Sequence, residues 1–166
     1  TLCLFLSSSI ADRRLRFREL WSELNQLNMK NIMIDNGQEF SPPDEKTKHM
    51  IGLRTAITIL ERWKANHNQI QKVLRVSRTT LHRAKAGAAA SRLDCDQLER
   101  ISIVLNMHAI MRTIFENPVN VYGFMRFQNG NDFFNGRAPL DVIAQGSMLA
   151  LIETYRRIDG LRNGLW

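Results

Sequence analysis

Arg78, Thr79, His82 and Arg83 are the residues whose types and spacing best suit a chemical task. Two guanidiniums, a hydroxyl and an imidazole supply hydrogen-bond donors for base edges and phosphates, and Arg in particular pairs in two-pronged fashion with guanine. They lie in a run from Arg62 to Leu93 that holds eight Lys/Arg (Arg62, Lys64, Lys72, Arg75, Arg78, Arg83, Lys85, Arg92), two His and no acidic residue. That chemistry is recognition rather than bond-making. No Ser/His/Asp, Cys/His or paired-carboxylate constellation appears, and no Gly-rich phosphate cradle, so no catalytic residue is assigned and the chain is not read as an enzyme. Asp94 and Asp96 are close in sequence, but a helix cap accounts for them better.

The elements that must position these residues span Asn68 to Gly87. Ile70, Val73 and Leu74 fall at i, i+3, i+4, which gives one short helix an apolar face. Val76 follows as a buried turn residue. Ser77 can cap a second helix by accepting the N–H of Thr79 or Thr80. Leu81 and Ala84 then face inward, and Gly87 can stop the helix. This is a helix-turn-helix pattern, whose second helix enters the DNA major groove. The expected DNA-contact set is Lys72, Arg75, Ser77, Arg78, Thr79, Thr80, His82, Arg83 and Lys85. Two positions depart from the usual wording: Arg75 stands where the turn favours Gly, and Gln71 where the first helix favours a small residue. A non-Gly residue in left-handed backbone carries strain. The alternative reading is a basic, solvated face with no ligand.

Charge supports a polyanionic partner. The 166-residue chain carries a net charge of +7, with 44% hydrophobic residues, enough for a real core. Residues 1–48 hold seven basic and seven acidic residues, residues 49–116 eleven and five, and residues 117–166 five and four. The positive field belongs to the middle segment. Cys3 and Cys95 are the only cysteines, which points to a reducing compartment without disulfides. The four His are scattered and no Cys/His spacing suits zinc, so no metal or cofactor is expected. No apolar run approaches the ~20 residues of a membrane span.

Along the chain the signals are helical, with no convincing strand alternation, so the fold class is all-α. Leu15, Leu20, Trp21, Leu24 and Leu27 allow an amphipathic helix over 12–28; Met29 or Met33 is a candidate natural start. Residues 30–45 read as loop. A helix then starts at Ser41 or Pro42, carries Asp44 and Glu45 in its first turn, and runs to about Asn66, with Leu53, Ile57, Leu60 and Trp63 inward. Asp94 caps a helix with Gln97 at the capping-box position, and Leu98, Ile101, Val104 and Leu105 form its stripe. A further helix carries Ile110, Met111, Ile114 and Phe115. Asn117-Pro118 opens the next, with Val119, Tyr122 and Met125 or Phe124 apolar. Asn135-Gly136 offers a left-handed turn, Pro139 starts a short helix ended by Gly146, and Ser147 begins a last helix through Leu149, Ile152, Tyr155 and Ile158. The expected division is 1–48, an N-terminal extension; 49–116, the helix-turn-helix domain; and 117–166, a small helical domain.

Together these stretches resemble antitoxins of the Xre/MbcA/ParS type. The resemblance is carried by Val76-Ser-Arg-Thr-Thr-Leu-His-Arg83, Asn117-Pro118, Phe134-Asn-Gly-Arg-Ala-Pro-Leu-Asp141, Gly146 and Arg156-Arg-Ile-Asp-Gly160, and covers roughly residues 50–166. It implies a type II toxin–antitoxin role in the bacterial cytoplasm, at the nucleoid when on its operator. The implied partners are a RES-domain toxin that consumes NAD or transfers ADP-ribose, operator DNA, and a second copy in a homodimer. The C-terminal residues expected to meet the toxin are Asn135, Gly136, Arg137, Arg162, Leu165 and Trp166. Trp166 either fills the toxin's base pocket or folds onto its own last helix. A stand-alone repressor whose C-terminal domain only dimerises is the alternative.

Overall fold

A computed structural model describes residues 44–88, 92–162 and 164. The expected helix over 12–28, the start of the next helix at Ser41 or Pro42, and Leu165 and Trp166 lie outside those residues. The described residues contain seven α-helices and no strand, the all-α class that the periodicity requires.

Helix α1 spans Glu45–Arg62. Asp44 caps it by accepting the Thr47 N–H at 3.1 Å, a position one residue outside the helical turn expected for it. That hydrogen bonding holds its carboxyl below the usual carboxylate range. Leu53, Ala56, Ile57 and Leu60 are buried at helical spacing, with Trp63 fully enclosed below them. The helix ends four residues before the expected Asn66. Lys64 turns left-handed (φ 65°), Ala65 N–H reaches back to the Leu60 carbonyl at 2.9 Å, and Asn66 is free to cap the next helix. Helix α2, His67–Leu74, starts on a reciprocal capping box in which Asn66 and Gln69 exchange bonds of 2.9 Å. Helix α3 is Arg78–Lys85.

Helix α4, Cys95–Ile114, replaces two expected helices by one of 20 residues. Its Asp94–Gln97 capping box forms as the sequence indicates, with bonds of 2.8 and 3.0 Å. Nothing between Leu105 and Ile110 breaks the helix, and Val104, Met107, Ile110 and Met111 continue its buried side. Helix α5, Pro118–Gly123, has Asn117 as its cap (2.9 Å to Val119 N–H) and Pro at its start. Helix α6 is Pro139–Ile143 and helix α7 is Met148–Arg162.

Two expected apolar faces are corrected. Val119 is 69% exposed, and Val121 takes its place beside the expected Met125 in the buried contacts of that stretch. In α7 the buried residues are Leu151, Thr154 and Ile158, while Leu149 is 68% exposed. That helix is apolar on more than one side, so packing rather than pattern selects its inner face.

Residues 43–166 form one compact unit. Helix α4 is its spine: α1 packs against it, and so does α7. Core residues from α1 through α7, including Trp63, Leu74, Met107, Met125, Ile143 and Ile158, belong to one cluster. The boundary expected at residue 117 therefore runs through a shared core.

One charged side chain lies inside this core. Arg100 is 5% exposed, and its Nη1 donates to the Val73 carbonyl (3.2 Å) and the Gly146 carbonyl (3.0 Å). Its Nε donates to Asp96 at 2.9 Å. Gly146 can sit there because its φ of +88° costs glycine little and would strain a residue with a side chain. Arg100→Met strands both carbonyls, each costing about 1–3 kcal/mol. We expect a loss of about 3 kcal/mol, read from urea midpoints at unchanged m value. A loss under about 1 kcal/mol would show that Arg100 is not what satisfies them.

His108, half-buried on α4, has its pKa pushed below 6.5 by burial first, then by Arg112 and Arg62. A depressed base is neutral in both states above the unfolded pKa and charges first in the unfolded chain below it. Its contribution is thus constant above about pH 6.5 and declines as the pH falls through that value. His108→Gln should lose less stability than the parent between pH 7.5 and pH 5, by denaturant titration at each pH.

Candidate nucleic-acid interface

The helix-turn-helix assembles around the apolar residues that the spacing selects. Ile70, Val73, Leu74, Val76, Leu81 and Ala84 are all buried, and they join the cluster that encloses Trp63. Removing Ile70, Val73 and Leu74 from water is worth roughly 1.5–3 kcal/mol per side chain, which orders two helices too short to form alone. Gly87 takes φ 75°, and Ala88 N–H closes the end of α3 on the Arg83 carbonyl at 3.0 Å.

At the leading end of α3, Ser77 Oγ accepts the Thr80 N–H at 3.0 Å and lies 2.9 Å from the Thr80 hydroxyl. Ser77 and Thr80 are therefore engaged in the cap. Arg78, Thr79, His82 and Arg83 are exposed, and no hydrogen bond or ion pair among the described residues engages their side chains. Lys72 is also exposed, on α2, with its backbone against Gly146.

The other two cations of the expected contact set are engaged elsewhere. Arg75 adopts the left-handed geometry of the turn, φ 53° and ψ 39°. Its guanidinium pairs with Asp94, and with Asp96 at 2.5 Å. Its carbonyl accepts from Gln97 Nε2 at 2.9 Å, and its N–H returns to the Gln71 carbonyl. A residue that would cost about 1–2 kcal/mol in this conformation is held there from both ends. Gln71, the second departure from the usual wording, is half-buried and donates to the His67 carbonyl at 3.2 Å. Lys85 pairs with Glu61 and lies 3.0 Å from His67 Nε2, which ties the end of α3 to α1 and α2.

The sequence therefore missed the parts that organise the turn: Gln97, Asp96 and Arg100. Gln97 was legible only as a capping residue, and its amide also serves Arg75. Asp96 and Arg100 stand at i, i+4 on one helix, a visible pairing, but their joint reach to Arg75, Val73 and Gly146 is a tertiary fact.

The C-terminal residues of interest fall in two places. Asn135 and Gly136 form a left-handed turn, φ 50° and 72°, and both are exposed with Arg137. The loop beneath is bonded to itself. Asn129 N–H reaches the Arg137 carbonyl at 3.3 Å, Gly136 N–H reaches the Asn129 carbonyl at 3.1 Å, and Arg137 Nε donates to Phe134 O at 3.1 Å. Phe134 anchors it with no exposed surface, and Arg157 lies over Phe133 at 5.6 Å. Arg162, at the end of α7, pairs with Asp159 at 3.0 Å, and no contact joins it to this turn among the described residues. Those residues contain no group of three His, Cys, Asp or Glu able to hold a metal. None of their helices is long and apolar enough to cross a membrane.

The sorting of cations yields a test. In a salt titration against operator DNA, Arg78→Ala and Arg83→Ala should each weaken binding. A lost base contact costs about 1–3 kcal/mol, and a lost phosphate contact lowers the salt slope by about 1. Arg75→Gly should leave that slope unchanged, since glycine accepts the turn and Asp94 and Asp96 already occupy the guanidinium. A slope lowered by Arg75→Gly and untouched by the other two would place the interface on the wrong side of the turn.

Comparison with known proteins agrees with this geometry. Residues 42–106 match the family model of the antitoxin Xre-like helix-turn-helix domain. The chain is also 26% identical over 125 residues to the uncharacterized protein y4oB of Sinorhizobium fredii, an alignment covering 75% of this chain and 94% of that one. The matched family segment runs from before α1 into the middle of α4 and contains the capped α3 with its exposed leading end. The chain thus carries an Xre-like helix-turn-helix domain of the antitoxin type.

Proposed function

We propose that this protein is an antitoxin that binds operator DNA through the leading end of α3, represses its own operon as a homodimer, and neutralises a RES-type toxin. The observation that carries the DNA part is the free set Arg78, Thr79, His82 and Arg83 on a capped helix, next to cations held back by acids. In this arrangement Arg78 and Arg83 reach base edges or phosphates, Thr79 and His82 add base or backbone contacts, and Lys72 meets a flanking phosphate. A single helix-turn-helix covers too little DNA for a specific operator, so two copies reading half-sites about one helical turn apart fit the domain best.

The antitoxin part is supported by the family match and by the self-bonded Asn129–Arg137 loop. A loop already fixed by its own hydrogen bonds can present Asn135, Gly136 and Arg137 to a partner with little ordering cost. The choice of a RES toxin rests on the resemblance of Phe134–Asp141 and the chain end to that antitoxin type. Arg162 and the terminal Leu165 and Trp166 would complete the contact, Trp being a favoured interface anchor.

A second reading, a repressor whose C-terminal residues only pair two copies, is favoured by one observation. Val119 and Phe127 are 69% and 62% exposed, apolar surface of the kind that subunit contacts cover.

Co-expression with a RES-type toxin separates the two. The antitoxin reading expects co-purification and full protection of cellular NAD, with protection lost on Arg137→Glu or on removal of residues 163–166. A protein that binds operator DNA yet neither co-purifies with the toxin nor protects NAD is a repressor alone. If truncation at residue 162 leaves protection intact while Arg137→Glu abolishes it, inhibition comes from the loop and not from the tail.

A further inference from the structure

A second cationic surface lies away from the α3 residues just described. A groove of about 510 Å³ runs between α1 and α4, lined by Arg54 and Arg62 from the first and by His108 and Arg112 from the second. No carboxylate lines it. The guanidiniums of Arg54 and Arg112 make no ion pair or hydrogen bond among the described residues, and both residues are exposed. Arg62 is fixed in place: its Nη1 donates to the Tyr122 hydroxyl at 2.6 Å, and its guanidinium lies 5.4 Å over the Tyr122 ring. That ring in turn stacks on His108 at 5.6 Å.

The groove is also apolar. Ile51 is 49% exposed on its rim and Ile59 contributes to its lining. The two lining threonines use their hydroxyls on their own helix, Thr55 on the Ile51 carbonyl at 2.9 Å and Thr58 on the Arg54 carbonyl at 3.0 Å. Polar recognition is left to the guanidiniums. Their charges reinforce one another, and the His108 pKa is lowered by burial first and then by Arg112 and Arg62. Such a cluster has no internal counter-charge, so an arriving anion gains from all three at once.

We propose that this groove docks an acidic, amphipathic segment of a protein partner, with Asp or Glu side chains on Arg54, Arg62 and Arg112 and an apolar side chain between them on Ile51 and Ile59. Planar guanidiniums match carboxylates in paired hydrogen bonds. The exposed isoleucine sets the occupant apart from a sugar–phosphate backbone, which offers nothing apolar to cover it. The volume suits a few side chains rather than a whole domain. None of its lining residues belongs to the DNA-reading helix or to the Asn135 turn, and neither proposed role is needed for it.

The test uses the full chain and a short fluorescein-labelled helical peptide with Glu and Leu at i, i+3 and i+4 spacing. The expected results are binding by anisotropy, no binding of the same peptide with Lys for Glu, and no competition by a mixed-sequence DNA duplex. Arg54→Glu with Arg112→Glu should weaken peptide binding by at least about tenfold while leaving duplex affinity and the far-ultraviolet circular dichroism unchanged. Arg54→Gln with Arg112→Gln makes the same test if charge reversal prevents folding. The proposal is overturned if the parent does not bind the Glu/Leu peptide or if the variants bind it equally well. It is also overturned if duplex DNA displaces the peptide and the variants lose DNA affinity in parallel, which would make the groove part of the nucleic-acid interface. Self-association of the parent that the variants abolish and the peptide leaves untouched would assign the groove to a second copy, against the proposal.

Discussion

The Arg100 guanidinium is the constraint on which the arrangement of helices depends. A buried charge is costly unless each of its donors is met. Here the partners are supplied by three separate parts of the chain: the Val73 carbonyl in α2, the Gly146 carbonyl between α6 and α7, and the Asp96 carboxylate one turn earlier in α4. Val73 lies in the last turn of α2, where a carbonyl has no helical N–H to accept. One side chain therefore satisfies a helix end and a loop end together. Asp96 also holds Arg75, so the left-handed turn and the C-terminal helices are fixed by the same carboxylate–guanidinium chain. An apolar residue of similar size would fill the volume but would specify none of these positions.

The same network explains how the basic run is sorted. From Arg62 to Leu93 the sequence contains no acid, which reads as one uniformly positive surface. The neutralising carboxylates stand just outside the run, at Glu61, Asp94 and Asp96. Among the cations of the run, folding brings them onto Arg75 and Lys85, while Asp96 also holds Arg100. Linear charge counting sees proximity in sequence, whereas Coulomb interactions act through space over a few ångströms. Within the helix-turn-helix, Lys72, Arg78 and Arg83 are thereby left without a carboxylate partner among the described residues. Exposed pairs of this kind add little stability, about 0–1 kcal/mol each; their effect here is to decide which cations stay free.

Much of the fold was legible because it is local. Ile70, Val73 and Leu74, the Ser77 cap, the Asp94–Gln97 box, Asn117-Pro118 and the Asn135-Gly136 turn each rest on residues within a few positions of one another. Even the left-handed Arg75 follows from register. The failures share one cause, tertiary choice among locally equivalent options. Lys64 accepts a left-handed conformation that no sequence rule assigns to lysine, and α1 stops early. In α7, the expected Ile158 is buried and Ile152 and Tyr155 are partly covered, but Leu151 and Thr154 rather than Leu149 complete the inner face against α4. Arg100 sits inside an apolar stripe, where its carbonyl partners, 27 and 46 residues away, leave no trace in the pattern. Of the candidate interface, the contact residues were readable, but not which of them the protein itself occupies. The α1–α4 groove was not readable at all, because Arg54, Arg62 and Arg112 are dispersed in sequence.

One rigid unit also limits what its surfaces can say to each other. Packed cores have discrete arrangements rather than continuous give. One way for a partner at the Asn135–Arg137 turn to alter the pose of α3 is to displace the α6–α7 link, which is bonded through Arg100 to the end of α2. Moving one without the other breaks the Gly146 or the Val73 bond, each worth about 1–3 kcal/mol once its group is left buried. That figure bounds the coupling available through this route, and it lies in the range of ordinary allosteric coupling. The exposed turn is bonded to itself, the linking residue is a glycine whose φ of +88° strains any replacement, and the polar connection is a single buried side chain. Arg100 is thus one defined polar route between the two ends of this protein, beside the shared apolar core that packs α4 against α1, α2 and α7.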